Sequence, residues 1–158
     1  MDFYLREVMD IDLPIFYQQQ LDPDANFMVA FTSRDPANRK AFDAHWKRVL
    51  ANETGIVRTI VVMGETAGYV LSYEEEPGKP EVGYWLGKEY WGRGLATQAL
   101  GEFLENVNTT RPIHARVAKD NLASRRVLEK CGFRVIGKNI GYANARGEEI
   151  EELILTLD

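Results

Sequence analysis

The segment from residue 81 to residue 107 constrains the fold most, because its hydrophobic pattern changes partway along. Residues 81–86 form a β-rich run, and two glycines, Gly92 and Gly94, then interrupt the chain. Beyond them the apolar residues recur at helical spacing, at Leu95, Ala96, Ala99, Leu100, Phe103, Leu104 and Val107. We therefore predict a strand, a short glycine loop and the start of an amphipathic helix in direct succession.

This loop has the composition of an anion-binding site. The first turn of a helix has backbone N–H groups without intrahelical partners, and it carries the positive end of the helix dipole. Gly92 and Gly94 lack side chains, so their backbone can approach a phosphate closely, and Ala96 keeps the first turn narrow. Arg93 adds a positive charge at the rim. The segment therefore predicts a diphosphate site.

Two common nucleotide-binding patterns do not fit this loop. A P-loop requires Gly-Lys followed by Ser or Thr, and the sequence has no such run. A dinucleotide-binding fingerprint requires a small residue where Thr97 stands and an acidic residue about twenty positions later, which residues 110–114 do not supply. Three β-rich runs also precede the loop, in place of a parallel βαβ series. We keep a nucleotide-binding protein as the least favoured functional hypothesis.

Length, charge and composition limit the class of protein. The 158 residues suffice for one domain with its own core, and we treat residues 1–158 as a single α+β domain. The net charge of -5, with 19 basic against 24 acidic residues, argues against nucleic acid as a partner. No apolar run is long enough to span a membrane and no N-terminal signal pattern is present, so we expect no membrane partner and a cytoplasmic protein.

Isolated reactive residues do not indicate another kind of site. Cys131 is the single cysteine, which excludes an internal disulfide, and its helical spacing from Val127 and Leu128 indicates a small buried apolar role. His45 and His114 are far apart in sequence and lack neighbouring ligands, so we expect no metal.

The order of elements can be predicted from hydrophobic period, caps and turn residues. Strands are predicted at residues 2–8, 56–63, 67–73, 81–86, 113–117, 133–142 and 149–157. Helices are predicted at residues 12–21, 36–52, 95–107 and 121–131, with Asp35 and Asn121 as N-caps and Gly132 just past a helix end. Residues 22–34 are predicted to form a polar loop.

Two blocks of this sequence resemble the Gcn5-related N-acetyltransferases. The family's acetyl-CoA motif, Gln/Arg-x-x-Gly-x-Gly/Ala, is matched by Gly94 and Ala96, but Trp91 stands at its first position. The block at residues 121–133 resembles the Asn-x-x-Ser…Lys-x-Gly-Phe signature of the ribosomal-protein N-terminal acetyltransferase branch, known as the Rim-type branch. The resemblance implies a mixed, mostly antiparallel sheet of about seven strands, splayed between the fourth and fifth strands and flanked by about four helices.

The resemblance also implies which residues hold the cosubstrate, acetyl-CoA. Backbone groups of Tyr84, Trp85 and Leu86 would pair with the pantetheine arm, and Asn121 would contact the same arm. Backbone amides of the loop and the first helical turn would hold the pyrophosphate; these residues are Trp91, Gly92, Arg93, Gly94, Leu95, Ala96 and Thr97. For Asn121, a plain helix N-cap is the alternative role, and both can hold together.

Catalytic groups are harder to assign. The resemblance suggests Glu81 as the general base, with an exposed strand-end carboxylate as the alternative interpretation. Many relatives place a tyrosine seven residues after the asparagine to protonate the thiolate, whereas this chain has Leu128 there. Ser124 lies three residues after Asn121 on the same side of the helix and could replace it, or it could bond only to the backbone. Strand amides near Trp85 are candidates for stabilising the oxyanion.

The favoured hypothesis is an acetyl-CoA-dependent N-acetyltransferase, an acyltransferase in which a primary amine attacks the thioester directly. The acceptor would be a protein N-terminus or a small amine, approached by loops at residues 21–34 and 142–147, and Tyr142 in the second loop is a remote catalytic candidate. Family relatives often form homodimers, so self-association is also expected. The alternative is a non-catalytic acyl-CoA-binding or sensing module, motivated by the leucine at position 128.

Overall fold

The computed structural model of the protein describes residues 2–158, which form seven β-strands and five α-helices. The strands are β1 (Phe3–Arg6), β2 (Ile56–Val62), β3 (Glu65–Glu76), β4 (Lys79–Leu86), β5 (Ile113–Ala118), β6 (Arg134–Ala143) and β7 (Glu148–Leu157). The helices are α1 (Asp12–Gln20), α2 (Pro23–Val29), α3 (Arg39–Ala51), α4 (Leu95–Asn106) and α5 (Leu122–Lys130), and one turn of 3₁₀ helix (Lys88–Tyr90) follows β4. Within residues 2–158, no helix is both long and apolar enough to cross a membrane.

All seven strands join one sheet, in the order β1-β2-β3-β4-β5-β7-β6. Neighbouring strands are antiparallel except for β4 and β5, which are parallel. Among the described residues, Glu81 and His114 form the single registered pair between β4 and β5, so the ladder stops well before the end of β4. The mostly antiparallel sheet with an interrupted fourth-to-fifth strand pairing confirms the predicted fold class.

Helices cover both faces of the sheet. On one face, α4 packs against the strands through fully buried side chains that include Leu95 and Phe103. On the other face, α1 and α3 contribute Phe16 and Trp46, whose ring centroids lie 5.0 Å apart. The Tyr69 ring from β3 packs edge-on against both. In α3, Phe42 and Trp46 of the predicted apolar stripe are buried, whereas Leu50 is exposed. Burial of such apolar side chains is the main favourable contribution to stability.

A buried carboxylate ties the first strand to the two that follow the helices. Asp12 forms two hydrogen bonds with the Arg6 guanidinium, at 2.7 and 2.9 Å. It also accepts from the Met9 amide and from the hydroxyls of Thr59 and Thr66, each at 2.8 Å. Burial alone would raise the pKa of Asp12, but these donors stabilise the charged form and hold its pKa below the ordinary value.

The predicted loop over residues 22–34 is wrong in its first half, because Pro23–Val29 form α2. The side chain of Asp22 accepts a hydrogen bond from the Asp24 amide at 2.9 Å, and Pro23 occupies the first turn. Both signals stand in the sequence, but a helix of this length is too short for a hydrophobic period to reveal. The fold therefore has five α-helices where about four were expected.

The third helix begins later than predicted. Its N-cap is Asn38, whose side chain accepts from the Ala41 amide at 3.0 Å. Asp35, the predicted cap, accepts from the Ala37 amide in a separate turn. The end of α5 agrees better with the sequence: Gly132 has φ +99 just past the helix, and the neighbouring Cys131 is partly buried against the core.

Candidate functional site

The interrupted pairing of β4 and β5 leaves a cleft of about 480 Å³ beside the end of β4. Most of the predicted site residues line this first cleft: Tyr84, Trp85, Leu86, Trp91, Gly92, Gly94, Leu95, Ala96, Thr97, Asn121 and Ser124. Arg93 and Glu81 do not. Two cations of α5, Arg126 and Lys130, also line it. The cleft therefore brings the glycine loop, the strand end and the start of α5 together.

The glycine loop adopts backbone conformations that favour glycine. Gly92 has φ +75 and Gly94 has φ +74, both in the left-handed region. A Cβ placed on Gly92 would meet no protein atom within 4 Å. The positive φ, and not a lack of space, therefore favours glycine at this position, and the space beside the loop is open. Gly94 is the N-cap of α4 and has no side chain to accept from the first-turn amides. These amides and the helix dipole favour an anion at this point.

Trp91 fastens the start of the loop to the end of β4. Its indole Nε1 donates a hydrogen bond to the Leu86 carbonyl at 3.1 Å, and its side chain remains 40% exposed. The residue that departs from the family motif therefore has a definite positioning role here. A ligand that pairs with the Leu86 carbonyl would have to share that oxygen with the indole.

Asn121 has the helix N-cap role that its sequence position predicts, and its side-chain nitrogen stays unused in the described chain. Its Oδ1 caps α5 by accepting from the Ser124 amide at 3.2 Å. Its side-chain NH₂ group finds no acceptor among residues 2–158, and the residue lies at the cleft surface. The cap uses the oxygen, so the nitrogen is free to donate to a ligand carbonyl.

Two hydroxyl groups meet across the first cleft. The Tyr84 hydroxyl from β4 lies 2.9 Å from Oγ of Ser124 on α5, and either atom can donate. Burial raises the pKa of Tyr84, and the hydrogen bond with Ser124 partly opposes this rise. Leu128 is only 3% exposed in the core, so its position offers nothing to the cleft. The side-chain role of Tyr84 was not predicted, because no sequence pattern links residues 40 positions apart.

Glu81 lies on the other face of β4, since side chains alternate along a strand. Its carboxylate accepts from Arg116 at 2.7 Å and from the Tyr73 hydroxyl at 3.2 Å, and Arg116 also pairs with Glu152. The Glu81 side chain is only 12% exposed, so it is not the exposed strand-end carboxylate that the sequence allowed. Burial, followed by the charge of Glu81, raises the pKa of Tyr73 to about 12.

A second cleft of about 830 Å³ opens on this other face of the sheet. It is bounded by α3, the segment before it and β3, and its lining includes Phe31, Thr32, His45, Arg48 and Tyr73. The two clefts share the lining residues Val29, Tyr84 and Trp85. Residues 21–34, predicted as an acceptor loop, contribute to both clefts, whereas residues 142–147, with Tyr142, line neither.

The two clefts adjoin each other at the end of β4. Within residues 2–158, no group of three His, Cys, Asp or Glu side chains could hold a metal ion. A ligand in the first cleft would meet one in the second at Tyr84 and Trp85, and a reaction between two bound molecules is favoured by such proximity.

Comparison with known proteins gives a family and a fold. The model of the acetyltransferase (GNAT) domain family matches residues 2–134. A curated relative, "Uncharacterized N-acetyltransferase p20" of Bacillus licheniformis, is 31% identical over 113 residues, covering 68% of this chain and 62% of the relative. The match thus spans less than two thirds of that relative's length.

Solved structures share the whole fold at low sequence identity. RimJ of Mycobacterium smegmatis, in complex with CoA-disulfide, has a TM-score of 0.84 at 22% identity, and the match covers 98% of this chain and 81% of the RimJ chain. Spermidine N-acetyltransferase of Vibrio cholerae, in complex with CoA and spermine, has a TM-score of 0.78 at 14% identity, and the match covers 98% of this chain and 94% of the Vibrio chain.

Proposed function

The chain belongs to the GNAT acetyltransferase family, and we propose that it transfers an acetyl group from acetyl-CoA to a primary amine. The observation that carries the proposal is the meeting of the two clefts at Tyr84 and Trp85. The first cleft has the features of a coenzyme site, and the second is open to a separate molecule. A direct transfer between two molecules bound side by side needs no covalent enzyme intermediate.

The first cleft fits the parts of coenzyme A. The left-handed glycines and the uncapped start of α4 suit its pyrophosphate, and the open edge of β4 beyond Glu81 suits the amide-bearing pantetheine arm. Asn121 would donate to a carbonyl of that arm. Arg126 and Lys130 would lie beside its phosphates, in place of the predicted contact from the side chain of Arg93, which does not reach the cleft lining. We therefore assign acetyl-CoA to the first cleft.

Ser124 and Tyr84 are proposed to protonate the departing thiolate. The family's usual tyrosine is replaced by Leu128, which lies in the core. The paired hydroxyls offer the same chemistry from a different position, because Ser124 can donate to the sulfur while Tyr84 donates to Ser124. Backbone amides near Trp85 would stabilise the charge that develops on the thioester oxygen.

Glu81 is proposed as the general base in an indirect arrangement. Its carboxylate does not line either cleft, but it accepts a hydrogen bond from Tyr73, whose side chain lines the second cleft. A proton from the acceptor ammonium would reach Glu81 through the Tyr73 hydroxyl, with Arg116 holding the carboxylate in place. This route places the base on the acceptor side and the thiolate acid on the coenzyme side.

A screen for thiol release tests the proposed function. The chain would be incubated with acetyl-CoA and a panel of peptides with free N-termini, amino acids and polyamines, and free CoA would be measured. We expect acceptor-dependent release with at least one primary amine. Tight binding of acetyl-CoA without release for any acceptor would overturn the proposal and favour the alternative, an acyl-CoA-binding module.

A further inference from the structure

The second cleft contains a cation without a partner. Arg48 lines it from α3, and its guanidinium forms neither an ion pair nor a side-chain hydrogen bond with any of residues 2–158. His45 lies nearly one helical turn earlier and lines the same cleft. Burial lowers the pKa of His45, and the charge of Arg48 lowers it further, so the imidazole is neutral at neutral pH.

No carboxylate balances Arg48 in this cleft. Among the described residues, Asp and Glu are absent from its lining, although the whole chain has a net charge of -5. Glu81, which contacts the cleft residue Tyr73, is already paired with Arg116. The cleft therefore attracts an anion more than a cation, in contrast to the protein as a whole.

Two buried polar atoms of cleft residues also lack a partner in the described chain. Nε1 of Trp85 is buried and donates to nothing, and Oγ1 of Thr32 is buried without a hydrogen bond. An indole N–H can only donate, so its missing partner must be an acceptor. Buried polar groups in native proteins are seldom left unpaired, and such orphans at a cleft indicate ligand contacts.

We propose that the acceptor is a primary amine that also carries a carboxylate. Arg48 binds the anion, and the Trp85 indole donates to an oxygen of the acceptor near the point of transfer. This inference rests on the proposed function and narrows its substrate class. A polyamine, which has only cationic groups, would meet Arg48 and no carboxylate in the cleft lining.

Matched substrates and one charge-removing variant test the inference. Glycine, β-alanine, 4-aminobutyrate and 6-aminohexanoate would each be compared with the alkylamine of equal chain length that lacks the carboxylate, which we call its neutral partner. A peptide with Glu at its second position would be compared with the same peptide carrying Gln. We expect at least one anionic member to exceed its neutral partner about tenfold in kcat/KM, as for one charge-assisted hydrogen bond. The series that responds distinguishes a small amino acid from an acidic peptide.

Arg48→Gln should lower kcat/KM for the anionic amine and so reduce that ratio to near one. The matched control is Arg39→Gln on the same helix, because Arg39 pairs with Asp43 and lines neither cleft. The control should keep the wild-type ratio. A ratio that is unaffected by Arg48→Gln, or a preference for spermidine over every anionic amine, would overturn the inference.

Calorimetric titration separates this inference from the proposed function. Each anionic amine of the series would be titrated into the chain saturated with CoA, with wild type and Arg48→Gln compared. Binding that requires Arg48 without any turnover would contradict the proposed function and support the cleft assignment. Turnover of neutral amines without any dependence on Arg48 would do the reverse.

Discussion

The hydroxyl of Tyr84 on β4 lies 2.9 Å from Oγ of Ser124 on α5, across the gap where the sheet pairing stops. The contact links a strand residue to the first turn of a helix that is 40 positions away in sequence. It places two hydroxyls in the lining of the first cleft, whereas Leu128 is buried in the core. This pair is the one that we propose as the acid for the departing thiolate.

Removal of the Ser124 hydroxyl should slow the chemical step. We expect Ser124→Ala to lower kcat about 100-fold, as for loss of a general acid, with KM for acetyl-CoA changed less than about threefold. Tyr84→Phe should also slow the step, and the loss of kcat in the double variant, relative to wild type, should be much smaller than the product of the two single losses. Steady-state kinetics measure all three.

Tyr17→Phe is the control for this pair, because its hydroxyl donates to the Ala37 carbonyl away from both clefts. Its kcat should equal that of wild type. Fully multiplicative effects of Ser124→Ala and Tyr84→Phe would show that the two hydroxyls do not act as a unit.

A methyl group in the glycine loop should weaken coenzyme binding. Gly92→Ala adds a Cβ at φ +75, so we expect about 1 kcal/mol of destabilisation from the backbone and at least a tenfold rise in Kd for CoA. Gly78→Ala is the matched control: its φ is +80, it also has open space around the added Cβ, and it lies in the β3–β4 turn.

The control should lose similar stability in urea unfolding while CoA affinity, measured by calorimetry, stays at the wild-type value. If Gly78→Ala weakened CoA binding as much as Gly92→Ala, the glycine loop would not be the pyrophosphate site.

Loss of the Glu81 charge should impair the acceptor side. Glu81→Gln keeps the shape of the side chain but cannot take a proton, so we expect kcat to fall about 100-fold at neutral pH. Tyr73→Phe should give a comparable loss, since it interrupts the route from the second cleft. Glu152→Gln is the control, because Glu152 also pairs with Arg116 but has no contact with Tyr73. Equal losses in Glu81→Gln and Glu152→Gln would assign the network a structural role only.

The buried Asp12 carboxylate should make stability depend on pH. Its pKa is lowered in the folded chain, so its contribution is fully present above its unfolded pKa of about 4 and is lost as pH falls below that value. Asp12→Asn should cost about 3 kcal/mol of unfolding free energy near pH 7, and this difference should narrow near pH 3. The exposed pair offers a control, since Asp43→Asn should cost less than about 0.5 kcal/mol.

Urea unfolding at the two pH values measures these differences. A cost for Asp12→Asn that is the same at both would contradict the assignment of a charged carboxylate to the folded state.

Long periodic segments made most of the fold predictable. The helix after Gly94 and the strands around it have strong hydrophobic periodicity. The small residues of the glycine loop, next to a helix start, predict an anion site from the sequence alone. The short helix α2 escaped prediction because its cap at Asp22 lies in a polar stretch without a period. Local signals near the start of α3 were ambiguous for a similar reason, since Asp35 and Asn38 both resemble caps.

The site was less predictable wherever it depends on contacts between distant segments. The Tyr84–Ser124 pair, the Trp91 bond to Leu86 and the ion pairing of Glu81 with Arg116 each join separate elements of the fold. Sequence spacing reveals which residues share a helix face, but it does not reveal which strand end faces which helix. The second cleft is formed by such packing, so nothing in the sequence indicated that Arg48 would line it.

Mass spectrometry of a complete reaction mixture tests direct acetyl transfer between the two clefts. The chain, acetyl-CoA and the best acceptor from the amine panel would be quenched during turnover, and the acceptor and the intact protein would be weighed. If the amine attacks the bound thioester directly, the acetylated amine and free CoA should form in equal amounts, and the protein should stay unmodified throughout. Accumulation of an acetylated protein that passes its acetyl group to the amine, or saturable acetyl-CoA binding with no acetylated amine at all, would contradict direct transfer between the two clefts.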